Sequence, residues 1–225
     1  MHIPDGFLSP EVAAGTAVVA AGAVGVGLRR ASAQLDDRVV PLLGVTGAFV
    51  FAAQMLNFPV AGGTSGHFLG AALATILLGP WLATLVLAVV LATQCFVFAD
   101  GGISALGANV LCMGVCGALA AGGLMLLARR MLPRRRGVLL AVAGAGAWLA
   151  VIAGSSATAL LLALSGTVPL GTVLPAMLSV HDVIGLGEAA ITVAALSALM
   201  ATRPDLIGAW AAAPRPAVRA IAQGV

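Results

Sequence analysis

The first two residues, Met1 and His2, carry three nitrogen atoms that together can chelate one metal ion. The N-terminal amine and the amide nitrogen of His2 close a five-membered ring on the metal, and the same amide with imidazole Nδ1 closes a six-membered ring. A second imidazole would complete a plane of four nitrogens, which suits Ni(II) or Cu(II) and is open to low-spin Co(II). Amine and amide must both lose a proton, so we expect the affinity to collapse in mild acid.

His67 is the residue that we expect to supply the second imidazole. It follows the loop GGTSG, whose glycines allow close approach of the backbone. If the neighbouring apolar runs cross a membrane, an ionisable residue at this depth is a functional candidate, and a structural hydrogen bond is the alternative. The same segment resembles a serine-protease nucleophile loop, but Ser65 lies in a surface loop, which makes proteolysis the weaker interpretation.

A second set of polar residues lies in SVHDVIGLGEAA, near the end of the chain. His181 and Glu188 are seven positions apart and share one helix face, whereas Asp182 is turned about 100° away. We expect these residues to orient His67 or the N-terminal tail by hydrogen bonds in preference to direct ligation. The segment lacks the second histidine of H-E-x-x-H, so a zinc protease has no support.

Two residues near the loop before His67, Asn57 and Ser65, complete the set of candidate supporting residues. For amides in apolar segments, hydrogen bonding between helices is the alternative role. It is the role that we favour for Gln54, Gln94 and Asn109.

The composition shows which kind of protein must position these residues. The 225 residues are 61% hydrophobic and 8% charged, with a mean hydropathy of +1.11. A water-soluble domain would have too little polar surface to cover itself, so this is an integral membrane protein. Long apolar runs such as 16–28 and 82–98 indicate helices rather than barrel strands. No nucleic-acid motif occurs, and we expect no nucleic-acid partner.

Breaks in the apolar pattern predict seven transmembrane helices in a single domain, with no cleaved signal segment before the first. The third helix is short because Gly79-Pro80 ends it, and residues 165–175 are predicted to form a loop. We expect an external metal-binding tail at 1–10, a helical bundle at 11–203 and a cytoplasmic tail at 204–225. The predicted helices lie at about 10–28, 41–57, 68–78, 81–98, 104–128, 138–164 and 176–201.

The arginines orient the bundle, because positive charge near helix ends favours the cytoplasm. All 11 basic residues are arginine, and they fall after helix one, between helices five and six, and beyond helix seven. With seven crossings, these three segments share one side of the membrane. The N-terminus is then external and the C-terminus cytoplasmic, and the three histidines lie toward the outside.

Three segments resemble the CbiM/NikM family: MHIPDGFLSP at the N-terminus, QMLNFPVAGGTSGHFLG at 54–70 and HDVIGLGEAAIT at 181–192. The family comprises the substrate-capturing membrane subunits of energy-coupling-factor (ECF) transporters for cobalt and nickel. The resemblance implies a six-helix core with an extra N-terminal helix. It also implies an external metal site built from the Met1 amine, the His2 amide and imidazole, and the His67 imidazole.

The resemblance implies an importer subunit rather than an enzyme, and no phosphate-binding G-x-x-x-x-G-K-[ST] motif occurs in the sequence. ATP hydrolysis would come from CbiO-type ATPases, coupled through a CbiQ-type membrane subunit, with a small CbiN-type membrane subunit expected as a separate polypeptide. We expect a multi-pass protein of the bacterial cytoplasmic (inner) membrane that holds no cofactor and carries Co(II), implied to supply cobalamin synthesis. Ni(II) is the alternative substrate, and a stand-alone secondary permease is the alternative mechanism.

Overall fold

The computed structural model describes residues 1–32, 39–60 and 64–207, with the backbone alone at 57–60 and 64–65. The described chain is a helical bundle with one small antiparallel hairpin, so the predicted all-α class is confirmed. The helices are α1 (Pro10–Ser32), α2 (Val39–Gln54), α3 (Ala71–Leu78), α4 (Pro80–Phe98), α5 (Leu106–Met131), α6 (Arg136–Leu164) and α7 (Leu170–Thr202). The hairpin strands are β1 (Asn57–Val60) and β2 (Thr64–His67), and a short 3-10 turn, Pro204–Leu206, follows α7.

Five of these helices are long and apolar enough to cross a membrane: α1, α4, α5, α6 and α7. The 16 residues of α2 and the 8 residues of α3 give lengths of about 24 and 12 Å, at about 1.5 Å per residue. Both are shorter than a hydrocarbon core of about 30 Å. The seven predicted helices are therefore present, whereas seven crossings and the external N-terminus stay predictions.

The short helix α3 forms part of the centre of the bundle, with seven of its eight residues buried. Gly70 begins it with a left-handed backbone (φ 77°), and Gly79-Pro80 separates it from α4, as the sequence predicts. A Cβ at Gly70 would lie 2.7 Å from Cγ2 of Val50 in α2. The absence of a side chain therefore lets the segment after His67 turn sharply against α2.

Helix α5 contains a π-helical segment, Val110–Cys116, directly after Asn109. Single-turn π segments are rare and frequently occur at functional sites. The first turn of α5 also packs closely on α1, because a Cβ at Gly107 would lie 2.8 Å from the backbone nitrogen of Ala17. This close contact brings the start of α5 near the chain that precedes α1.

Two sequence predictions are wrong in detail. The predicted loop at 165–175 ends early, because α7 begins at Leu170 and includes Pro175. Pro175 is the sixth residue of α7, so the helix lacks one hydrogen bond there, to the Gly171 carbonyl, and continues past it. The segment between α2 and His67, predicted as a loop, pairs as the β1–β2 hairpin with Asn57 opposite His67. Of the predicted cytoplasmic tail, residues 208–225 lie outside the described residues.

Candidate metal centre

The first three residues of the N-terminal tail (residues 1–9) are inserted into the bundle. Met1 and Ile3 are fully buried and His2 is 4% exposed. The Met1 side chain packs against α6, where a Cβ at Gly154 would lie 3.3 Å from its Sδ atom. The tail turns at Asp5-Gly6, with Gly6 in a left-handed conformation (φ 83°).

Asn109 holds the tail in register through its side-chain amide. The Ile3 N–H donates to Asn109 Oδ1 at 2.8 Å, and Asn109 Nδ2 donates to the Ile3 carbonyl at 3.1 Å. The Gly102 N–H donates to the same carbonyl at 2.9 Å. These buried bonds satisfy a stretch of backbone that lies outside any helix or sheet. They also fix the position of His2, which is adjacent to Ile3 in the chain.

A second group of hydrogen bonds holds the turn that follows. The Asp5 carboxylate accepts bonds from the backbone N–H groups of Ile103 and Ser104 and from the Ser104 hydroxyl. The Thr167 hydroxyl donates to the carbonyl of Phe7. The α4–α5 and α6–α7 connections therefore hold the tail by hydrogen bonds from two sides.

The predicted pair of imidazoles is brought together. The ring centroids of His2 and His67 are 4.6 Å apart, with an angle of 32° between the ring planes. His67 is fully buried at the end of strand β2, and His2 reaches it from the inserted tail. Residues that are far apart in the chain therefore meet where the sequence predicts a shared site.

Hydrogen bonds to the two rings leave one lone pair on each. His2 Nε2 donates to Gln94 Oε1 at 3.1 Å, and His67 Nδ1 donates to the Phe68 carbonyl at 2.7 Å. These bonds place the ring proton on Nε2 of His2 and on Nδ1 of His67. The other nitrogens, His2 Nδ1 and His67 Nε2, are buried without a hydrogen-bond partner among the described residues. A buried nitrogen lone pair in this state is ready to accept a metal ion.

The same burial keeps the donor groups neutral. Burial lowers the pKa of the Met1 amine to about 4, against the opposing effect of Asp100. Burial and the nearby amine lower the pKa of His2 to about 4. For His67, burial, the amine, His2 and, with a smaller effect, His181 hold the pKa well below its ordinary value. The amine and three imidazoles therefore lie within electrostatic reach of one another, and neutral nitrogen is the form that binds a metal.

Glu188 and His181 lie behind this group on α7, on one helix face as predicted. The Glu188 carboxylate accepts hydrogen bonds from the backbone N–H groups of Leu69 at 2.6 Å and Gly70 at 2.9 Å. It therefore fixes the turn immediately after His67. His181 Nδ1 donates to the Met177 carbonyl at 2.8 Å, and its Nε2 is buried with no hydrogen-bond partner among the described residues.

The remaining candidate supporting residues are placed differently. Asp182 is exposed and accepts a bond from Trp148 Nε1 at 2.8 Å, outside the group around the amine. The backbone of Asn57 lies opposite His67 in the hairpin, and that of Ser65 lies opposite Pro59.

The sequence analysis missed the roles of three residues around the tail. Gln94 and Asn109 hold the tail, although interhelical bonding was the expected role. Asp100 was overlooked, and its Oδ1 lies 3.4 Å from His2 Nδ1. The signal was the polar, glycine-rich segment ADGGISALGAN between two apolar helices, on the side predicted to carry the histidines.

A site made of side chains alone does not exist in the part of the chain described here. No three His, Cys, Asp or Glu side chains at these positions lie close enough to hold a metal ion. Further donors at the His2–His67 pair would therefore come from other kinds of group, and the buried N-terminal amine is one that lies nearby.

The family model described as the cobalt uptake substrate-specific transmembrane region, CbiM, matches residues 2–206. The chain belongs to the CbiM family. It is a membrane protein of metal transport, and its family is that of a transporter component rather than an enzyme. The chain is 34% identical to the cobalt transport protein CbiM of Sorangium cellulosum, over 92% of this chain and 94% of that protein.

The chain is also similar to a nickel transport protein and to solved structures of transition metal transporters. The chain is 35% identical to the fused nickel transport protein NikMN of Rhodobacter capsulatus, over 92% of this chain and 64% of the fused protein. A crystal structure of a truncated transition metal transporter superposes with a TM-score of 0.81 at 31% identity, covering 89% of this chain and 99% of that one. The bundle described above is therefore also the fold of a transition metal transporter.

Proposed function

We propose that this CbiM-family chain is the substrate-capturing subunit of an ATP-driven ECF importer and binds one Co(II) ion at the external membrane face. The observation that carries the proposal is the convergence of two buried, unpartnered imidazole nitrogens, on His2 and His67, beside the buried Met1 amine. Burying such groups without partners costs free energy, which a bound cation would recover.

The proposed donors are the Met1 amine, the His2 amide nitrogen, His2 Nδ1 and His67 Nε2. The bonds from His2 to Gln94 and from His67 to Phe68 support this choice, because they leave the required ring nitrogens unprotonated. They also orient both rings, as carbonyl and carboxamide oxygens do around many metal-binding histidines. Four nitrogens in a plane favour a transition metal of the cobalt-to-copper range over Mg²⁺ or Ca²⁺, which prefer oxygen.

Cobalt is the proposed substrate and nickel the alternative, since the proposed donor set suits both ions. The resemblance to the cobalt branch of the family favours cobalt, as does the similarity to the Sorangium cellulosum protein. With cobalt as the substrate, the family resemblance implies that the imported ion supplies cobalamin synthesis. The similarity to a fused nickel transport protein supports the alternative.

The proposed importer places this chain in the bacterial cytoplasmic membrane with three kinds of partner. The arginines at and after the end of α1, at the α5–α6 connection and in the helix turns beside it, and beyond α7 support an external N-terminus. A CbiQ-type coupling subunit and CbiO-type ATPases would supply the energy. The similarity to a fused NikMN protein supports a small membrane partner of the CbiN type.

The proposal is tested by measuring metal bound per purified chain and metal uptake by vesicles. We expect about one Co(II) per chain in the native protein and in Asp182→Asn, whose side chain lies away from the site, and none in His67→Ala. Uptake should require the three partners and ATP. Full retention of the ion by His67→Ala would refute the site, and metal flux through vesicles containing this chain alone would favour a secondary permease.

A further inference from the structure

Asp100 lies directly beside one of the proposed metal donors. Its Oδ1 atom is 3.4 Å from His2 Nδ1, beyond ordinary hydrogen-bond distance. Because Gln94 Oε1 accepts the proton of His2 Nε2, the facing atoms are a nitrogen lone pair and a carboxylate oxygen. Two acceptors that face each other in a buried setting repel, and a cation bound beside both atoms would reverse the sign of their interaction.

The backbone holds Asp100 in this place. Ala99, which ends α4, adopts a left-handed conformation (φ 53°), and no other non-glycine residue with positive φ occurs in the described ranges. For a residue with a Cβ this conformation is strained, because the Cβ crowds the following carbonyl oxygen. The Asp100 N–H then donates to the Gln94 carbonyl at 3.0 Å. Gln94 thus positions both His2, through its side chain, and Asp100, through its backbone.

The charge of the loaded site calls for such a carboxylate. A dication bound through one deprotonated amide and three neutral nitrogens leaves a net charge of +1 in a buried site. Asp100 would bring the net charge to zero, which removes most of the cost of burying a charge.

Exposure also distinguishes Asp100 from the four proposed donors. Its side chain is 19% exposed, against 4% for His2 and none for Met1 or His67. A hydrated dication arriving from solvent would therefore meet a carboxylate oxygen before it met any nitrogen. A carboxylate is also a ligand that a still partly hydrated metal ion accepts readily.

We propose that Asp100 receives the incoming hydrated dication at the mouth of the site and then remains beside the four nitrogens as their counter-charge. The inference rests on the proposed function, because it takes the metal site for granted. It assigns Asp100 a part in loading and charge balance, outside the nitrogen plane.

The test measures association rates of Co(II) and of Ni(II) by stopped-flow absorption, together with the spectrum of each loaded protein. We expect Asp100→Asn to slow association by about 10–100-fold, in the range of electrostatic steering, and to weaken its dependence on salt. The d–d bands should keep their positions, since the nitrogen plane is unchanged. Asp182→Asn removes the same charge elsewhere, and its rate should stay within about twofold of the native rate.

Native association rates in Asp100→Asn would overturn the inference while leaving the metal site intact. Shifted d–d bands together with a lower thermal midpoint would also overturn it, because Asp100 would then serve only to hold His2. Failure of the native chain to bind either ion would instead refute the proposed function itself.

Discussion

The side-chain amide of Asn109 pairs with both backbone groups of Ile3, as a neighbouring β-strand would. The two bonds are 2.8 and 3.1 Å long and join residues 106 positions apart. Ile3 follows the two residues that carry three of the four proposed donors. The position of the proposed site is therefore set in part by a side chain that is not one of the proposed donors.

Asn109→Ala should remove the two hydrogen bonds that fix the position of Ile3. The Ile3 N–H and carbonyl would lose their Asn109 partners, and we expect metal affinity to fall by about 10–100-fold, as when other groups that orient metal ligands are removed. Isothermal titration with Co(II) measures the change. The half-buried Thr93, whose hydroxyl donates within its own helix to Val89, gives a control in Thr93→Ala. Equal affinities in Asn109→Ala and this control would show that Asn109 does not hold the tail in register.

Gly102→Ala should displace the tail without changing any proposed donor. A Cβ at Gly102 would lie 2.6 Å from the carbonyl carbon of Pro4 and in contact with the Asp5 nitrogen, and backbone cannot yield as a flexible side chain can. We expect loss of metal binding and faster proteolysis of the tail. A Cβ at Gly123 meets no atom within 4 Å, so Gly123→Ala should behave as the native chain does. Native metal affinity in Gly102→Ala would show that the tail is not held here.

Glu188→Gln should loosen the turn after His67. One of the two backbone N–H groups, of Leu69 or Gly70, would then face an amide NH₂ group and lose its acceptor, at a cost of about 1–3 kcal/mol. We expect a lower thermal midpoint of unfolding and weaker metal binding. Thermal unfolding with and without Co(II) separates the two effects, with Asp182→Asn as the control. An unchanged midpoint would mean that the carboxylate does not stabilise the turn.

The number of protons released on binding reports whether the amine is buried. A solvated amine with a pKa of about 8 is about 90% protonated at pH 7, so its chelate would release close to two protons, one from the amine and one from the amide. Burial lowers the pKa of the Met1 amine to about 4, so the docked tail should release about one. Titration calorimetry in buffers of different ionisation enthalpy counts these protons. A count near two would place the amine in water.

Acid should also release the tail. In the undocked tail the amine has its ordinary pKa of about 8, and in the docked tail its pKa is about 4. Between these two pH values the undocked state therefore binds more protons than the docked state. The docked tail is therefore fully stable above pH 8 and loses stability as the pH falls through this window. The loss of affinity expected in mild acid would then accompany undocking, which fluorescence of a probe near Phe7 can follow. Loss of affinity with the tail still docked would contradict this link.

The sequence predicted the helices and the partners His2 and His67 because both rest on local patterns and on motifs. Apolar runs, Gly79-Pro80 and the arginines define most of the elements, and the histidines stand out in an apolar chain. The hairpin was missed since β1 and β2 pair only four residues each, too few to show an alternating pattern. The polar segment 99–109 marks Asp100 and Asn109 as candidates. Their roles and that of Gln94 depend on contact with a tail that lies about a hundred residues away in sequence, and no local pattern predicts that contact.

The most direct test of the account is to add one residue before Met1 and measure the metal that the purified chain retains. The extension turns the amine into an amide and moves the new amine away from His2, while no original side chain is replaced. We expect about one Co(II) per chain with the native N-terminus and near none with the extension, since one donor of the plane is lost. Equal retention by the two proteins would contradict it, because the Met1 amine would then not be a ligand.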